Sequence, residues 1–340
     1  MRNSSVLFDA SQNVWIGQSR QKDSLWQLSL DQMWDEGIKP RPVNGVTNQV
    51  ELLYQDHHGA IWASGKNEQS PITRLDSGKV EHFYIAHEQG GIVSEAVKSF
   101  GETDAGDLFI GTSSGVYRFV EGDFIPLEGS SDQPVPVNEV NGIIRDQEGV
   151  LWFASANGLF RYDGICWSVL REEDGLSPSM TLCVEQDGAG DYWVGTLDGV
   201  TRYRPSDILP EKPTIQMVGG QEDGDDQMPH VKLGELVSFI CDVVDFKTQP
   251  RRRLFRHAFI HDHTDLPPEK HDVRWSQPTL ESRIDWHSVE QGDYTLFVQF
   301  IDRDLNYSEP AAKRLTVIVP WYANAWVIWP LGTGGMGLVG

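Results

Sequence analysis

The chain has 340 residues, 39% of them hydrophobic and 23% charged, which is the balance of a folded protein and excludes a largely disordered one. Its formal net charge is −22, which repels phosphate backbones and excludes direct nucleic-acid binding. Lys and Arg number 15 against 31 Asp and Glu in residues 1–210, giving −16, and 13 against 19 in the rest, giving −6.

Residues near the start, Val6-Leu7-Phe8, already read as a strand. No basic and apolar leader precedes them, so no secretory signal is expected and the sequence reads as the middle of a larger protein. From there a motif recurs. It is partial at Asp9 and Val14-Trp15-Ile16-Gly17, and looser at Asp56-His-His-Gly59-Ala-Ile-Trp62-Ala-Ser64 with Arg74-Leu75. It is clearer at Gly106-Asp-Leu-Phe109-Ile-Gly-Thr112 with Ser114-Gly115-Val-Tyr-Arg118-Phe119. The fullest copies are Asp146-Gln-Glu-Gly149-Val-Leu-Trp152-Phe-Ala-Ser155 with Asn157-Gly158-Leu-Phe-Arg161-Tyr162, and Asp187-Gly-Ala-Gly190-Asp-Tyr-Trp193-Val-Gly-Thr196 with Asp198-Gly199-Val-Thr-Arg202-Tyr203.

The anchors Trp15, Trp62, Phe109, Trp152 and Trp193 lie 47, 47, 43 and 41 residues apart. That period fits a four-stranded propeller blade. Within a copy, the Asp side chain can cap its own turn and Gly can take positive φ. Asn-Gly or Asp-Gly between apolar runs then closes a hairpin. A blade cannot bury its faces alone, so neighbours must stack, with the large aromatic between them. These Trp, Asp and Gly residues are expected to be structural, naming a fold rather than a site.

The pattern Asp-x-x-Gly-x-Leu-Trp-x-Gly-Thr-x-x-Gly-Leu-x-Arg-Tyr resembles the two-component regulator propeller repeat over residues 1–205. Sensors of that family carry more blades, so the resemblance implies a propeller lacking its N-terminal part, with a five-bladed closure as the alternative.

Residues 206–213 lie in a proline-rich stretch and read as a linker. From 214 to 319 the repeat is gone. Strands are expected over Thr214–Val218, Leu236–Asp242, Leu254–Ile260, Arg283–Trp286, Gly292–Phe300 and Arg314–Val319, enough for a small sandwich of the immunoglobulin or fibronectin kind. Gly219–Met228, acidic and Gly-rich, reads as a mobile loop. The segment resembles the three-Y domain that follows such propellers. Phe255-Arg-His-Ala-Phe259, Trp275, Trp286, Glu290-Gln-Gly292-Asp-Tyr294, Asp302-Arg-Asp-Leu-Asn306-Tyr-Ser308-Glu309-Pro310 and Pro320-Trp321 carry the match. Phe255 and Trp286 occupy two of the three tyrosine positions, and only Tyr294 is a true Tyr.

Residues 320–340 carry no charge. They read either as the start of a membrane helix with interfacial Trp and Tyr, or as an apolar tail interrupted by Asn324, Pro330 and glycines.

No phosphate loop, nucleophile elbow or zinc-protease motif is present, and Gly332-Thr-Gly334-Gly335 lacks the strand and Lys of a phosphate loop. Three cysteines, Cys166, Cys183 and Cys241, form no C-x-x-C and leave at least one free thiol. His261-Asp262-His263 with His257 is the one metal-like cluster, and a solvated loop before Pro267-Pro268 is the plainer reading. Arg251-Arg252-Arg253 with Arg256 would suit an acidic partner or a membrane surface, or would be a solvated strand entry. No catalytic, cofactor or metal residue is assigned, and the ligand-binding residues are left open.

The expectation is an all-β chain: five propeller repeats, then a sandwich. By resemblance it is the periplasmic sensing region of a two-component regulator at the bacterial inner membrane. A ligand, by family analogy a saccharide, would bind in the propeller funnel or on one rim. The sandwich would relay the signal through homodimer contacts, with membrane attachment at the C-terminus. The alternatives are an interaction scaffold or gene fragment, and after those a propeller lyase or glycosidase.

Overall fold

The structure, a computed structural model, describes residues 4–319 apart from 19–23, 35–36, 38, 47–48, 66–70, 86–95, 130–131, 133, 137, 221–227, 263, 265–267 and 269–273. Among the described residues all regular elements but three short 3-10 turns are strands, and the chain divides into two compact units, Met1–Pro205 and Ser206–Gly340.

The first unit holds five antiparallel sheets, each a meander of strands consecutive in sequence. The first contains β1 (Ser4–Phe8), β2 (Asn13–Gln18), β3 (Leu25–Ser29) and β4 (Arg41–Pro42). In the second are β5 (Leu52–Gln55), β6 (Ile61–Ser64), β7 (Ile72–Asp76) and β8 (Lys79–Phe83). The third has β9 (Val97–Glu102), β10 (Leu108–Thr112), β11 (Val116–Val120) and β12 (Asp123–Pro126). The fourth comprises β13 (Val140–Arg145), β14 (Leu151–Ser155), β15 (Gly158–Tyr162) and β16 (Trp167–Leu170). Three strands make the fifth: β17 (Thr181–Gln186), β18 (Tyr192–Thr196) and β19 (Gly199–Tyr203).

One turn builds the first hairpin of each sheet. Asp146 Oδ1 accepts the N–H of Val150 at 2.9 Å, and its carbonyl accepts that of Gly149, which sits at φ +87°. Asp146 Oδ2 then takes the indole N–H of Trp152 at 2.6 Å. Asp9 with Trp15, Asp56 with Trp62 and Asp187 with Trp193 repeat the last bond at 2.8 Å. The carboxylate therefore closes the turn and orients the anchor ring together. In the third sheet both partners change. Thr103 offers one oxygen, spent on the N–H of Asp107 at 3.1 Å, and Phe109 has no N–H to donate.

Each of the first four anchors lies in its own apolar cluster, shared with the following sheet, whereas Trp193 of the fifth sheet is exposed. Trp15 packs with Val50, Ile61 and Ala63, and Trp62 with Phe100, Leu108 and Ile110. Phe109 packs with Ile143, Leu151 and Phe153, and Trp152 with Val184, Tyr192 and Val194. Every cluster thus spans two successive sheets. Glycine makes room where strands approach most closely: a Cβ at Gly111 would lie 2.7 Å from Val140 Cγ1 and 2.5 Å from Ser99 Oγ. Gly17 stands in the same relation to Val50 and Ser5.

The second unit has two sheets. One orders β20 (Thr214–Val218), β22 (Leu236–Asp242) and β24 (Arg283–His287). The other orders β21 (His230–Lys232), β26 (Ala311–Ile318), β25 (Gly292–Ile301) and β23 (Leu254–Ile260), with β21 parallel to β26. Both sheets feed one apolar cluster, including Phe239, Phe255, Leu296, Val298, Phe300 and Leu315. β25 lies inside its sheet and is buried without a break from Tyr294 to Ile301, as a strand covered on both faces is.

The six strands expected here are present, with Ala311 rather than Arg314 opening the last. The short β21 was not foreseen, because three residues carry too little alternation to register. Residues 221–227 of the acidic loop and the tail at 320–340 lie outside the described residues. Among the described residues no helix is long and apolar enough to cross a membrane.

Candidate ligand site

The first strand of each sheet is an edge strand, paired only with the second strand of its own sheet. Four of them, β5, β9, β13 and β17, converge on a cavity of about 270 Å³. Their free edges turn backbone groups towards it, so even its apolar stretches can exchange hydrogen bonds.

Three of these strands carry a bulge at the same register. Gly111 pairs with Ser99 but Thr112 pairs with Val97, which leaves Lys98 as an extra residue. By the same skip Asn141 is extra in β13 and Leu182 in β17. A bulge re-aims a side chain and commonly sits beside a functional site. All three extra residues line the cavity. Each lies eleven residues before its anchor, at Phe109, Trp152 and Trp193.

These side chains tie the strands together at one end. The Lys98 ammonium pairs with Glu139 and donates to Asn141 Oδ1 at 3.2 Å. Asn141 Nδ2 donates to the carbonyl of Thr181 at 3.1 Å. The polar chain therefore runs from β9 across β13 to β17. Deeper in, Ser99 is more than nine-tenths buried and its Oγ has no hydrogen-bond partner among the described residues. An unmade bond on a buried hydroxyl costs about 1–3 kcal/mol. Phe100, Ile143, Ile144 and Val184 form the apolar wall, with Tyr54 stacked on Phe100 at 5.7 Å. Burial, and then the nearby Glu102 carboxylate, push the Tyr54 hydroxyl well above its ordinary value, so it stays a neutral donor. Exposed Cys183 and Glu185 complete the lining.

The cavity can thus hold a small molecule by a few convergent polar groups set in an apolar wall, which is the ordinary make-up of a ligand pocket. None of Lys98, Ser99, Asn141 or Leu182 stands out in the sequence by residue type. The signal lies in the repeat: at the position where the conserved frame holds Asp, Gly and Trp fixed, the position eleven before the anchor changes freely between cation, amide and alkyl.

The clusters singled out by sequence are otherwise engaged. His257 is half-buried, and that burial lowers its basicity; it meets Ser276 Oγ at 3.2 Å. His261 stacks on Tyr294 at 4.5 Å between ring centres, and His263 lies outside the described residues. Among the described residues no three His, Cys, Asp or Glu form a metal-binding group. Arg253 donates to the carbonyls of Val243 and Asp245, at 3.0 and 2.7 Å. Arg256 bonds Gln299 at 2.8 Å and lies over Trp275 and Tyr307. These two arginines are structural; Arg251 and Arg252 form part of a 3-10 turn. Of the aromatic set, Phe255 lies in the core and Trp286 stacks on Phe259 at 4.9 Å. The Tyr294 hydroxyl donates to the carbonyl of Glu290 at 3.2 Å.

No family model and no curated protein matches the chain. Several solved structures do. The extracellular domain of BT3049, assigned as a hybrid two-component system of B. thetaiotaomicron, matches at 14% identity and a TM-score of 0.47, over 92% of this chain and 44% of that one. The extracellular domain of BT4673 from the same bacterium, assigned as a one-component system, matches at 15% and 0.42, over 94% and 56%. PorZ, a surface component of the type-IX secretion system of Porphyromonas gingivalis, matches at 12% and 0.48, over 92% and 44%. The chain therefore spans about half the length of these structures.

Proposed function

We propose that this chain is the extracytoplasmic ligand-sensing region of a two-component regulator, with its five repeat sheets as β-propeller blades and its second unit as a three-Y sandwich. The observation that carries the reading is the set of bulged residues, Lys98, Asn141 and Leu182, turned into one cavity by the same irregularity in three successive repeats. The repeat resemblance supplies the signalling context. A small polar ligand, a saccharide in the first instance, would bridge the first strands of several sheets. Binding would favour one arrangement of those sheets over another, and the second unit would pass that preference on, in a homodimer. No residue is given a catalytic role.

The test is calorimetric titration of the whole chain with a panel of mono- and oligosaccharides. A binder is expected for wild type, with at least about tenfold weaker affinity in Lys98→Met and in Asn141→Leu at unchanged melting temperature. A panel without a binder removes the saccharide; a binder that ignores both substitutions removes the site.

A second reading, an interaction scaffold, is favoured by one observation: Val6 and Phe8 of the first sheet and Trp193 and Val200 of the fifth are exposed apolar side chains.

A further inference from the structure

Nothing in the fold calls for a glycine at Gly142. It lies inside β13, directly after the bulged Asn141, and lines the cavity. A Cβ there would meet its nearest neighbour, the carbonyl oxygen of Leu182, at 3.6 Å, which is ordinary contact, and its φ is not positive. Gly17, Gly101, Gly111 and Gly195, also inside strands of the first unit, differ: a Cβ on any of them would come to 2.7 Å or closer to a neighbouring atom. Those four are glycine because packed strands need the room. At Gly142 they do not. Glycine inside a strand is less favourable than alanine, and one without a packing reason marks a place where a ligand or another backbone comes close.

The surroundings of Gly142 select the kind of ligand. Residues 52–54, 98–100, 141–144 and 182–185 line the cavity. At about 3.3 Å per residue these walls run for about 10 Å, the length of two or three extended residues. All four are strands whose inner edge pairs with no other strand among the described residues, so they offer N–H and C=O groups at strand spacing. The bulges add to the supply, because Lys98, Asn141 and Leu182 stand outside the ladder. One amide already sits at the polar end. The Asn141 carboxamide donates to the carbonyl of Thr181 at 3.1 Å and accepts from the Lys98 ammonium at 3.2 Å. A carboxamide has the donor and acceptor of a peptide group, so strand edge and ammonium here hold such a group between them. The apolar wall of Phe100, Ile143, Ile144 and Val184 suits a side chain. A sugar ring carries a hydroxyl on most of its carbons and would leave some of them unpaired against that wall, each at a loss of roughly tenfold in affinity.

We propose that the cavity takes a short peptide, two or three residues long and extended, whose backbone bonds the inner edges of β13 and β17 as it passes over Gly142. Main-chain bonds to a free strand edge supply affinity, and the apolar wall chooses the side chain. This rests on the cavity being the ligand site proposed above, and not on the saccharide.

Calorimetric titration of the whole chain with the tripeptides Ala-X-Ala, X being each of the twenty amino acids, tests this, beside the saccharide panel. Binding is expected for tripeptides with an apolar X, with free or capped ends. Methylating the backbone nitrogen of X removes its N–H, keeps its side chain, and should weaken binding at least about tenfold. Gly142→Ala should weaken it by as much, at an unchanged or slightly higher melting temperature. A saccharide that binds and is lost in Lys98→Met and Asn141→Leu, while no tripeptide binds, overturns the peptide and leaves the site standing. Two panels without a binder overturn both. Tripeptide binding that ignores Gly142→Ala or the N-methyl group overturns the proposal as well. So does a fall in melting temperature in Gly142→Ala, since the glycine would then serve the fold; the N-methyl comparison on wild type needs no variant.

Discussion

The two units solve the problem of burying strands in opposite ways. The first divides its apolar residues into four clusters, one for each pair of neighbouring sheets. The second gathers strands from both of its sheets around one cluster. A divided core makes stability a sum of local terms, as in other repeat architectures, whereas a single core stands or falls together. Both units nonetheless use the same turn. Asp302 accepts the N–H groups of Asp304 and Asn306, at 2.8 and 2.9 Å, and its carbonyl accepts that of Leu305, at φ +63°. In place of an indole, the Asn306 amide reaches its second oxygen at 3.2 Å. Turn chemistry is therefore common property, and the large ring six residues on is what commits a segment to stacking.

The largest expected effect breaks the comparison at its centre. Phe300 is fully buried against Phe255, and Phe300→Ala should cost roughly 3–5 kcal/mol. Trp152→Ala should cost a similar amount. Hydrogen exchange should separate them. Phe300→Ala should lower protection throughout both sheets of the second unit. Trp152→Ala should lower it in β13–β19 and leave β1–β8 as they were. Loss of protection across all five sheets would show that the first unit is cooperative after all.

A smaller effect probes the close approach of neighbouring sheets. Gly111→Ala places a Cβ against Val140 and Ser99 and should cost about 1–3 kcal/mol in chemical denaturation. Pairing it with Val140→Ala should recover part of that loss. Two independent losses would mean that the notch and the valine do not touch in solution.

The smallest effect separates the turns by acid. Burial opposes ionisation of Asp9, but bonds from the Asn13 amide groups, Trp15 and Ser11 outweigh it and hold the carboxyl below its ordinary range. Trp193 and then the Asp191 and Ala189 amides do the same for Asp187. Their contribution is present above the unfolded value and lost as pH falls through the lower folded one. Burial raises Asp302 despite the bonds from Asn306. Its contribution has the opposite sign, present below the unfolded value and lost as pH rises through the higher folded one. Denaturation between pH 3 and 6 should therefore show Asp187→Asn removing part of the acid loss in the first unit. Asp302→Asn should flatten the second unit's gain on acidification. Equal slopes for wild type and both variants would contradict these assignments.

Much of this architecture is legible in the sequence, because the turn demands Asp and Gly at fixed places and the anchor demands a large ring. The match fades where several residues change at once. The first copy puts Gln12 at φ +62° where the others have Gly, and the third trades Asp and Trp for Thr103 and Phe109. The candidate site was far less legible. Nothing about Lys98, Asn141 or Leu182 announces a bulge, since an extra residue in a strand has no composition of its own. Their common distance of eleven residues from the anchor can be counted in the sequence, but that this position is bulged shows only in the strand pairing. His257 and Arg256 drew notice through type and clustering, and both prove to be packing residues.

The bond between turn and ring has a last consequence, for how this protein can change. Asp and Trp six residues apart act as a two-letter word rather than two letters. Losing the acid alone strands an indole donor at the junction, and losing the ring alone leaves a carboxylate half spent. Among the five repeats Thr103 with Phe109 is the one rewriting, and it alters both letters. Neutral drift in such a repeat should proceed by paired steps, and a copy found with one letter changed marks a passage rather than a resting place.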